Sequence, residues 1–363
     1  MSSLFKPMKL AGKQLKNRII MAPLTRGRAG EQGIPGPLMA EYYAQRSSAG
    51  LLIAEATAVS QDGRGWMNSP GLYNDEQQAG WKLVADAVHD NDGSIFVQLW
   101  HMGAAVHPDF LKGEKAISAS DITLTGQLPT PKGRDRELES AREMTQEDIN
   151  QQIDNFVKAA QRAIEAGLDG VEIHAANGFL IDQFTRDSSN HRQDEYGGSI
   201  ENRLRFMLEV VSAVVSAIGA DKVGIRLSPT NKVWGVSDSQ YEETFSQAVD
   251  KLNQFNLAYL HLLEPKPNSG HGMETIDYIS PKLREIFKGF VVVNGGYDQT
   301  LGQAALTSGL ADAVSFGAPF IANPDLVQRY RDNAELTQAD ATTFYSEGPE
   351  GYIDYGALSS AQA

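Results

Sequence analysis

Short apolar runs recur along the chain, each followed by a stretch with helical spacing. The runs lie at 18–22 (RIIMA), 51–56 (LLIAEA), 94–99 (SIFVQL), 169–174 (DGVEIH), 222–227 (KVGIRL), 258–263 (AYLHLL), 290–294 (FVVVN) and 312–316 (ADAVS). Runs this short and rich in β-branched residues predict buried strands. The spacing between them predicts helices near 37–48, 75–91, 145–166, 199–218, 240–255, 280–287, 299–308 and 324–332. Helix ends are marked as well: Thr145 precedes an acidic first turn, and Gly167 and Gly219 stop long helices.

Eight strand–helix alternations with no break in composition predict an α/β fold, a single (β/α)8 TIM barrel over 1–363. A doubly wound sheet is the rival, although it uses fewer strands per domain. Gly12 sits in a possible N-terminal hairpin that would cap the barrel bottom, and 100–143 is a long insertion after strand 3. Gly, Pro and charge dominate that insertion, which suits an excursion over the loop-bearing face. The segment 344–356 places Tyr345, Tyr352 and Tyr355 between glycines.

Composition narrows the chemistry. Net charge is −14, which argues against nucleic acid or an anionic membrane surface as partner. The absence of cysteine removes disulfides, thiolate metal sites and a cysteine nucleophile. No stretch approaches the ~18 apolar residues of a membrane span, and Met1–Pro7 lacks a basic-then-apolar leader pattern. A soluble cytoplasmic protein, monomer or homodimer, is the expectation.

Barrels of this kind collect their chemistry where strands end. Those ends carry Pro23, Leu24 and Thr25; Ala56; Gln98 and Trp100; His174; Arg226; Glu264; Asn294, Gly295 and Gly296; and Gly317. The set holds no metal cluster, no paired carboxylates and no nucleophile beside a base. Its amides, hydroxyl, guanidinium and large aromatics suit a flat, heteroatom-rich ring. Gly295, Gly296 and Gly317 read as tight turns or as backbone donors for a phosphate, and Arg226 at a strand end needs a partner. His174 and Asn177, at the mouth of the fourth strand, read either as two donors converging on one substrate oxygen or as a backbone-satisfied His and a turn Asn.

In order and spacing, several motifs resemble the old yellow enzyme family of flavin-dependent ene-reductases, particularly the bacterial N-ethylmaleimide reductase-like members. They are Met21-Ala-Pro-Leu-Thr-Arg26, Ala40-Glu-Tyr-Tyr-Ala-Gln-Arg46, Gln98-Leu-Trp-His101, His174-Ala-Ala-Asn177, Asp194-Glu-Tyr-Gly-Gly-Ser-Ile-Glu-Asn-Arg203, Arg226-Leu-Ser-Pro229 and Phe320-Ile-Ala-Asn-Pro-Asp-Leu326. The resemblance runs nearly end to end. It implies FMN as cofactor, NADPH or NADH as reductant, and an electron-poor small molecule as substrate: enones, maleimides, quinones, or nitro and nitrate-ester compounds.

By position within those motifs, Pro23, Leu24, Thr25, Ala56, Gln98, His174, Arg226, Asn294, Gly295, Gly296, Gly317 and Ala318 would contact FMN, with the Thr25 side chain tuning the ring. His174 and Asn177 would bind the substrate oxygen, and Trp66, Trp100 and Tyr345 would line the pocket. Three positions depart from the family pattern. Phe179 stands where most members carry the proton-donating Tyr, Ala318 where a phosphate-pairing Arg is frequent, and Ala104 where an Arg commonly follows His-x-Gly. Two rival functions follow. One is a barrel that binds flavin or phenol-like ligands with little turnover; the other is a phosphate-binding aldolase or isomerase. The latter wants a Schiff-base Lys or a carboxylate at a strand end; no Lys ends a strand, and Glu264 is the only carboxylate after strand six.

Overall fold

The eight apolar runs pair in chain order, all parallel, into a closed barrel in the computed structural model, which describes residues 3–10, 12–264 and 278–358. The strands are β1 Ile19–Met21, β2 Leu51–Ala58, β3 Ile95–Trp100, β4 Gly170–Ala175, β5 Val223–Leu227, β6 Tyr259–Leu263, β7 Val291–Asn294 and β8 Ala313–Phe316. Each is followed by a helix of the outer ring: α1 Pro37–Ala44, α2 Asp75–His89, α3 Gln146–Glu165, α4 Ile200–Ile218, α5 Tyr241–Leu252, α6 Ser280–Ile286, α7 Gln299–Thr307 and α8 Leu326–Asp332. The predicted (β/α)8 architecture is therefore the observed one.

Differences from expectation lie at element ends and in loops. Strand β2 runs on to Ala58, and its register against β3 shifts between Ala54 and Thr57. Helix α1 stops at Ala44, and α5 tightens into a 3-10 turn at Asn253–Phe255. Two short helices, Leu180–Thr185 and Ala318–Ala322, escaped the sequence reading because one turn of helix carries too little periodicity to detect. The insertion holds a hairpin, Gln127–Thr130 with Gly133–Glu137, and a parallel pair, Ile117–Ser118 with Arg142–Glu143. The cap signal at Thr145 is realised in full as a reciprocal capping box with Asp148.

Period-2 alternation decides what fills the barrel. On β3 the inner face carries Phe96, Gln98 and Trp100; on β4 it carries Gly170, Glu172 and His174. Register sets Phe96 beside Gly170, Gln98 beside Glu172, and His174 beside Arg226. The interior thus passes from an apolar bottom, through a polar middle, to an aromatic mouth. Met8, Leu10 and Leu15 of the N-terminal hairpin join Ile20, Ile53, Phe96, Tyr259 and Val292 in the bottom layer, so the hairpin closes that end.

The bottom layer fits because large and small residues alternate. A Cβ added at Gly170 would lie 2.4 Å from the Phe96 ring, and one at Gly224 would lie 2.3 Å from the Tyr259 ring. Those two rings sit 5.8 Å apart in the same buried layer. Overpacking of this kind costs about 1–3 kcal/mol. Gly224→Ala should therefore lower unfolding stability by about 1–3 kcal/mol, read from the midpoint of chemical denaturation, while ligand binding at the mouth is unchanged.

Candidate active site

The polar middle of the barrel is built around a buried carboxylate. Glu172 is fully buried, and its two oxygens accept from Gln98 Nε2 at 2.7 Å and from the His261 Nδ1–H at 2.8 Å. A carboxylate only accepts, so the His261 proton sits on Nδ1. Its Nε2 then accepts from the Ser315 hydroxyl at 2.7 Å. Burial opposes the Glu172 charge, but His261, Arg226 and Gln98 outweigh it and hold its pKa below the ordinary value. Burial and the Arg226 charge keep His261 neutral. Arg226, also buried, donates to Asn294 Oδ1 at 2.8 Å, and Asn294 in turn donates to the Ser315 carbonyl at 2.9 Å.

Above this layer lies the mouth. The His174 and Trp100 rings are nearly coplanar in orientation, 11° apart with centroids 6.3 Å apart. Phe179 stands edge-on to both, at 5.1 Å and 4.9 Å. Burial, then the nearby Arg226 charge, hold the His174 pKa well below the usual histidine value, so it is a neutral imidazole. Asn177 follows in a left-handed turn with φ +60°, its N–H donating to Ser228 Oγ at 2.8 Å.

One cavity of about 640 Å³ gathers these groups with the loop residues of neighbouring strands. Pro23, Leu24 and Thr25 enter it from the end of β1, Ala56 from β2, and Gln98 and Trp100 from β3. His174, Asn177 and Phe179 come from β4 and its turn, and Arg226 from β5. Asn294, Gly295 and Gly296 follow β7, with Gly295 at φ +127° and Gly296 at φ +74°. Gly317 and Ala318 follow β8, and Trp66 and Tyr345 face each other across 5.2 Å on the rim. All the residues singled out from strand ends and motifs as ring, phosphate or substrate contacts therefore line this cavity, whereas Glu264 does not, its carboxylate accepting from the Ile279 and Ser280 N–H groups at 2.9 Å. Nor does Ala104: it is buried in the insertion, its N–H donating to Gln183 Oε1 at 3.0 Å.

Some residues of the site, on the cavity wall and in the layer beneath it, escaped the sequence reading. Glu172 was the most legible, a charge two residues before His174 and so on the same strand face. His261 and Ser315 carried no such signal. Trp234, left-handed at φ +62°, enters the cavity from the loop after β5. Phe344 comes, with the expected Tyr345, from the C-terminal segment, which buried arginines hold by its carbonyls. Arg28 donates to Phe344 O at 2.8 Å and Thr343 O at 2.9 Å, and Arg26 to Gly351 O at 2.8 Å.

The cavity offers unspent hydrogen-bonding capacity. His174 Nδ1, Arg226 Nε and Trp100 Nε1 are buried on its wall with no partner in the protein, and an unsatisfied buried donor is costly enough to imply a ligand. Two consecutive left-handed glycines let backbone approach that ligand closely. The donor set therefore fits a flat, polar, phosphorylated ring system. A larger groove of about 840 Å³ between α2 and α3 offers nothing comparable, since its cations are already paired, Arg162 with Asp75 at 2.7 Å, Lys82 with Asp86 at 2.8 Å and Lys158 with Asp154 at 2.7 Å. Among the described residues there is no cluster able to hold a metal and no helix long and apolar enough to cross a membrane.

Known proteins match this chain in sequence and fold over nearly its whole length. The sequence pattern of the NADH:flavin oxidoreductase / NADH oxidase family matches residues 3–337. Rice (Oryza sativa subsp. japonica) 12-oxophytodienoate reductase 7 is 44% identical, covering 97% of this chain and 94% of its own. The chanoclavine-I aldehyde reductase fgaOx3 of Penicillium roqueforti (strain FM164) is 41% identical, covering 98% and 96%. Among solved structures, an old yellow enzyme homologue from Zymomonas mobilis superposes with a TM-score of 0.96 at 45% identity, over 98% of this chain and 100% of that one. Morphinone reductase gives 0.95 at 41% identity, over 100% and 98%. A barrel whose mouth gathers neutral imidazole, amides and a buried guanidinium, matched over nearly its whole length by these reductases, belongs to the old yellow enzyme family and is an NAD(P)H-dependent flavin oxidoreductase.

Proposed function

We propose that this protein holds FMN across the barrel mouth and reduces electron-poor small molecules bound over it, with quinones and nitro or nitrate-ester compounds handled better than simple enones and maleimides. The observation that carries the reading is the convergence in one cavity of His174 and Asn177 with the buried Arg226 and Gln98. FMN, when bound, supplies hydride taken from NADPH or NADH. The rest of the chemistry belongs to the chain.

Pro23, Leu24, Thr25, Ala56, Gln98 and Arg226 would hold the ring, and Asn294, Gly295, Gly296, Gly317 and Ala318 its phosphate end. Because Gln98 Nε2 is committed to Glu172 at 2.7 Å, the free end of its amide is the carbonyl, an acceptor for a ring N–H. The Arg226 cation sits in low dielectric and would stabilise negative charge developing on the ring. His174, neutral, and Asn177 would donate to the substrate oxygen and withdraw electron density as hydride arrives. Trp66, Trp100 and Tyr345 would bound the substrate.

Phe179 occupies the proton donor's position without a proton to give. It is 9% exposed and packed edge-on to the His174 and Trp100 rings, so water has poor access along that side. Alkene reduction needs a proton at carbon, whereas a quinone or a nitrate ester takes hydride without one. This same feature favours the second reading, a flavin-binding barrel with little alkene turnover.

The test is the visible spectrum of the purified protein with FMN, taken anaerobically before and after NADPH and then after an acceptor. Bleaching by NADPH and recovery on a quinone or nitrate ester is expected, with slower recovery on 2-cyclohexenone. A protein that takes up no FMN overturns the proposal, and bleaching with no recovery on any acceptor leaves the binding barrel. Phe179→Tyr should raise enone reduction, by up to about 10²–10⁴-fold where protonation limits, with quinone reduction unchanged in stopped-flow measurements. Ala318→Arg should tighten FMN binding by about tenfold to a hundredfold through a charge-assisted hydrogen bond. Fluorescence quenching would show this, with riboflavin, which lacks the phosphate, as the unaffected control.

A further inference from the structure

The direction in which the Asn177 amide faces is set by a residue outside the cavity wall. A carboxamide is ambiguous, since either its oxygen or its NH₂ can face a ligand. Here the ambiguity is resolved by a backbone donor. The Val233 N–H, which can only donate, reaches Asn231 Oδ1 at 3.0 Å. That fixes the Asn231 amide with its NH₂ on the other side, where Nδ2 donates to Asn177 Oδ1 at 2.8 Å. The Asn177 oxygen is thereby occupied, and the end left for the cavity is its NH₂.

The two turns are locked in register by more than this bond. Asn177 N–H donates to Ser228 Oγ, and Arg186, paired with Asp182 at 2.7 Å, donates to the Ser228 carbonyl at 2.6 Å. Gly178 N–H reaches Asp182 Oδ2 at 2.9 Å. Asn231 is 2% exposed, so water does not compete for its amide. Removing Asn231 would leave the bonds that Asn177, Gly178 and Ser228 make to one another, Asp182 and Arg186 in place, while freeing the Asn177 amide to rotate and the Val233 N–H of its acceptor.

We propose that Asn231 is a positioning residue: it holds the Asn177 amide with its donor end toward the substrate oxygen, so that the site recognises an oxygen carrying negative charge. The inference rests on the assignment of Asn177 as a substrate contact made above. It makes Asn231→Asp the informative change. A carboxylate at 231 can only accept, so it would draw the Asn177 NH₂ toward itself and turn the carbonyl into the cavity, against the ligand's lone pairs.

The experiment is a double-mutant cycle on the FMN-loaded protein, with 4-chlorophenol as the probe. Binding is followed by the flavin absorbance change across pH, so that affinity for the phenolate and for the neutral phenol are separated. Asn177→Ala should weaken phenolate binding by about tenfold or more, as the loss of one donor to a charged oxygen does. Asn231→Ala should weaken it by about threefold to tenfold. Asn231→Asp should weaken it more than Asn177→Ala does and shift the pH dependence toward the neutral phenol.

On the Asn177→Ala background both changes at 231 should have no further effect. A general loosening of the loop, or a through-space effect of the new charge, would persist there. Wild-type affinity in both 231 variants, or equal losses on both backgrounds, would overturn the positioning role while leaving Asn177 as the contact. Unchanged binding in Asn177→Ala, or no phenol binding by the wild type, would remove the contact itself and the positioning role with it.

Discussion

Glu172 is the group the rest of the barrel mouth is arranged around. A carboxylate taken out of water needs several kcal/mol of compensation, and each hydrogen bond to a charged group is worth about 1.5–3 kcal/mol. Gln98 and His261 occupy its two oxygens, and the Arg226 charge helps hold it ionised. Each partner is consequently oriented: Gln98 offers its carbonyl upward, His261 turns its lone pair to Ser315, and Arg226 stays buried as a cation beside Asn294. Moving any of these would strand a charge, so the floor of the cavity is rigid before any ligand arrives.

Direction propagates outward from that floor and from the backbone in the same way. An amide or imidazole has two faces, and only a partner that is purely donor or purely acceptor decides between them. The carboxylate decides for Gln98 and His261; the Val233 N–H decides for Asn231 and, through it, for Asn177. His174 is the exception. Both directions remain open to it, because its Nδ1 has no protein partner and its charge is suppressed by burial. A neutral ring without a fixed partner can serve ligands that differ in how they accept.

The architecture was legible because the eight strands alternate with amphipathic helices at regular intervals, and β-branched runs of four to six residues have few other uses. The cavity wall was legible for the same reason: strand ends converge in a barrel, so Arg226, His174 and Gln98 could be placed together without tertiary information. His261 and Ser315 were not legible, since a lone polar residue in an apolar strand says nothing about which neighbour satisfies it. Nor was Trp234, whose left-handed backbone is imposed by the loop rather than signalled by a glycine. The short helices Leu180–Thr185 and Ala318–Ala322 are held by contacts from elsewhere, with Arg46 donating to the Phe320 and Ile321 carbonyls.

Those arginines explain how a barrel acquires a wall it cannot build from strands. The C-terminal segment that carries Phe344 and Tyr345 lies outside the sheet, so its carbonyls have no ladder partners. Arg26, Arg28 and Arg46 supply the donors instead. Arg46 also stacks 3.7 Å over the Tyr42 ring, and Tyr42 stacks on Tyr352 at 4.0 Å. Burying guanidinium groups is unfavourable unless most of their hydrogens are used. Planar, five-donor groups can satisfy several carbonyls from one position, which lysine cannot. The carboxylate of Glu55 accepts from the Arg26 and Gly27 backbone N–H groups, and burial raises its pKa. The segment is therefore held chiefly by hydrogen bonds to carbonyls rather than by ion pairs, so its attachment should be little screened by salt. The aromatic side of the cavity is set by backbone recognition, and its side chains are left free to differ without loosening the wall.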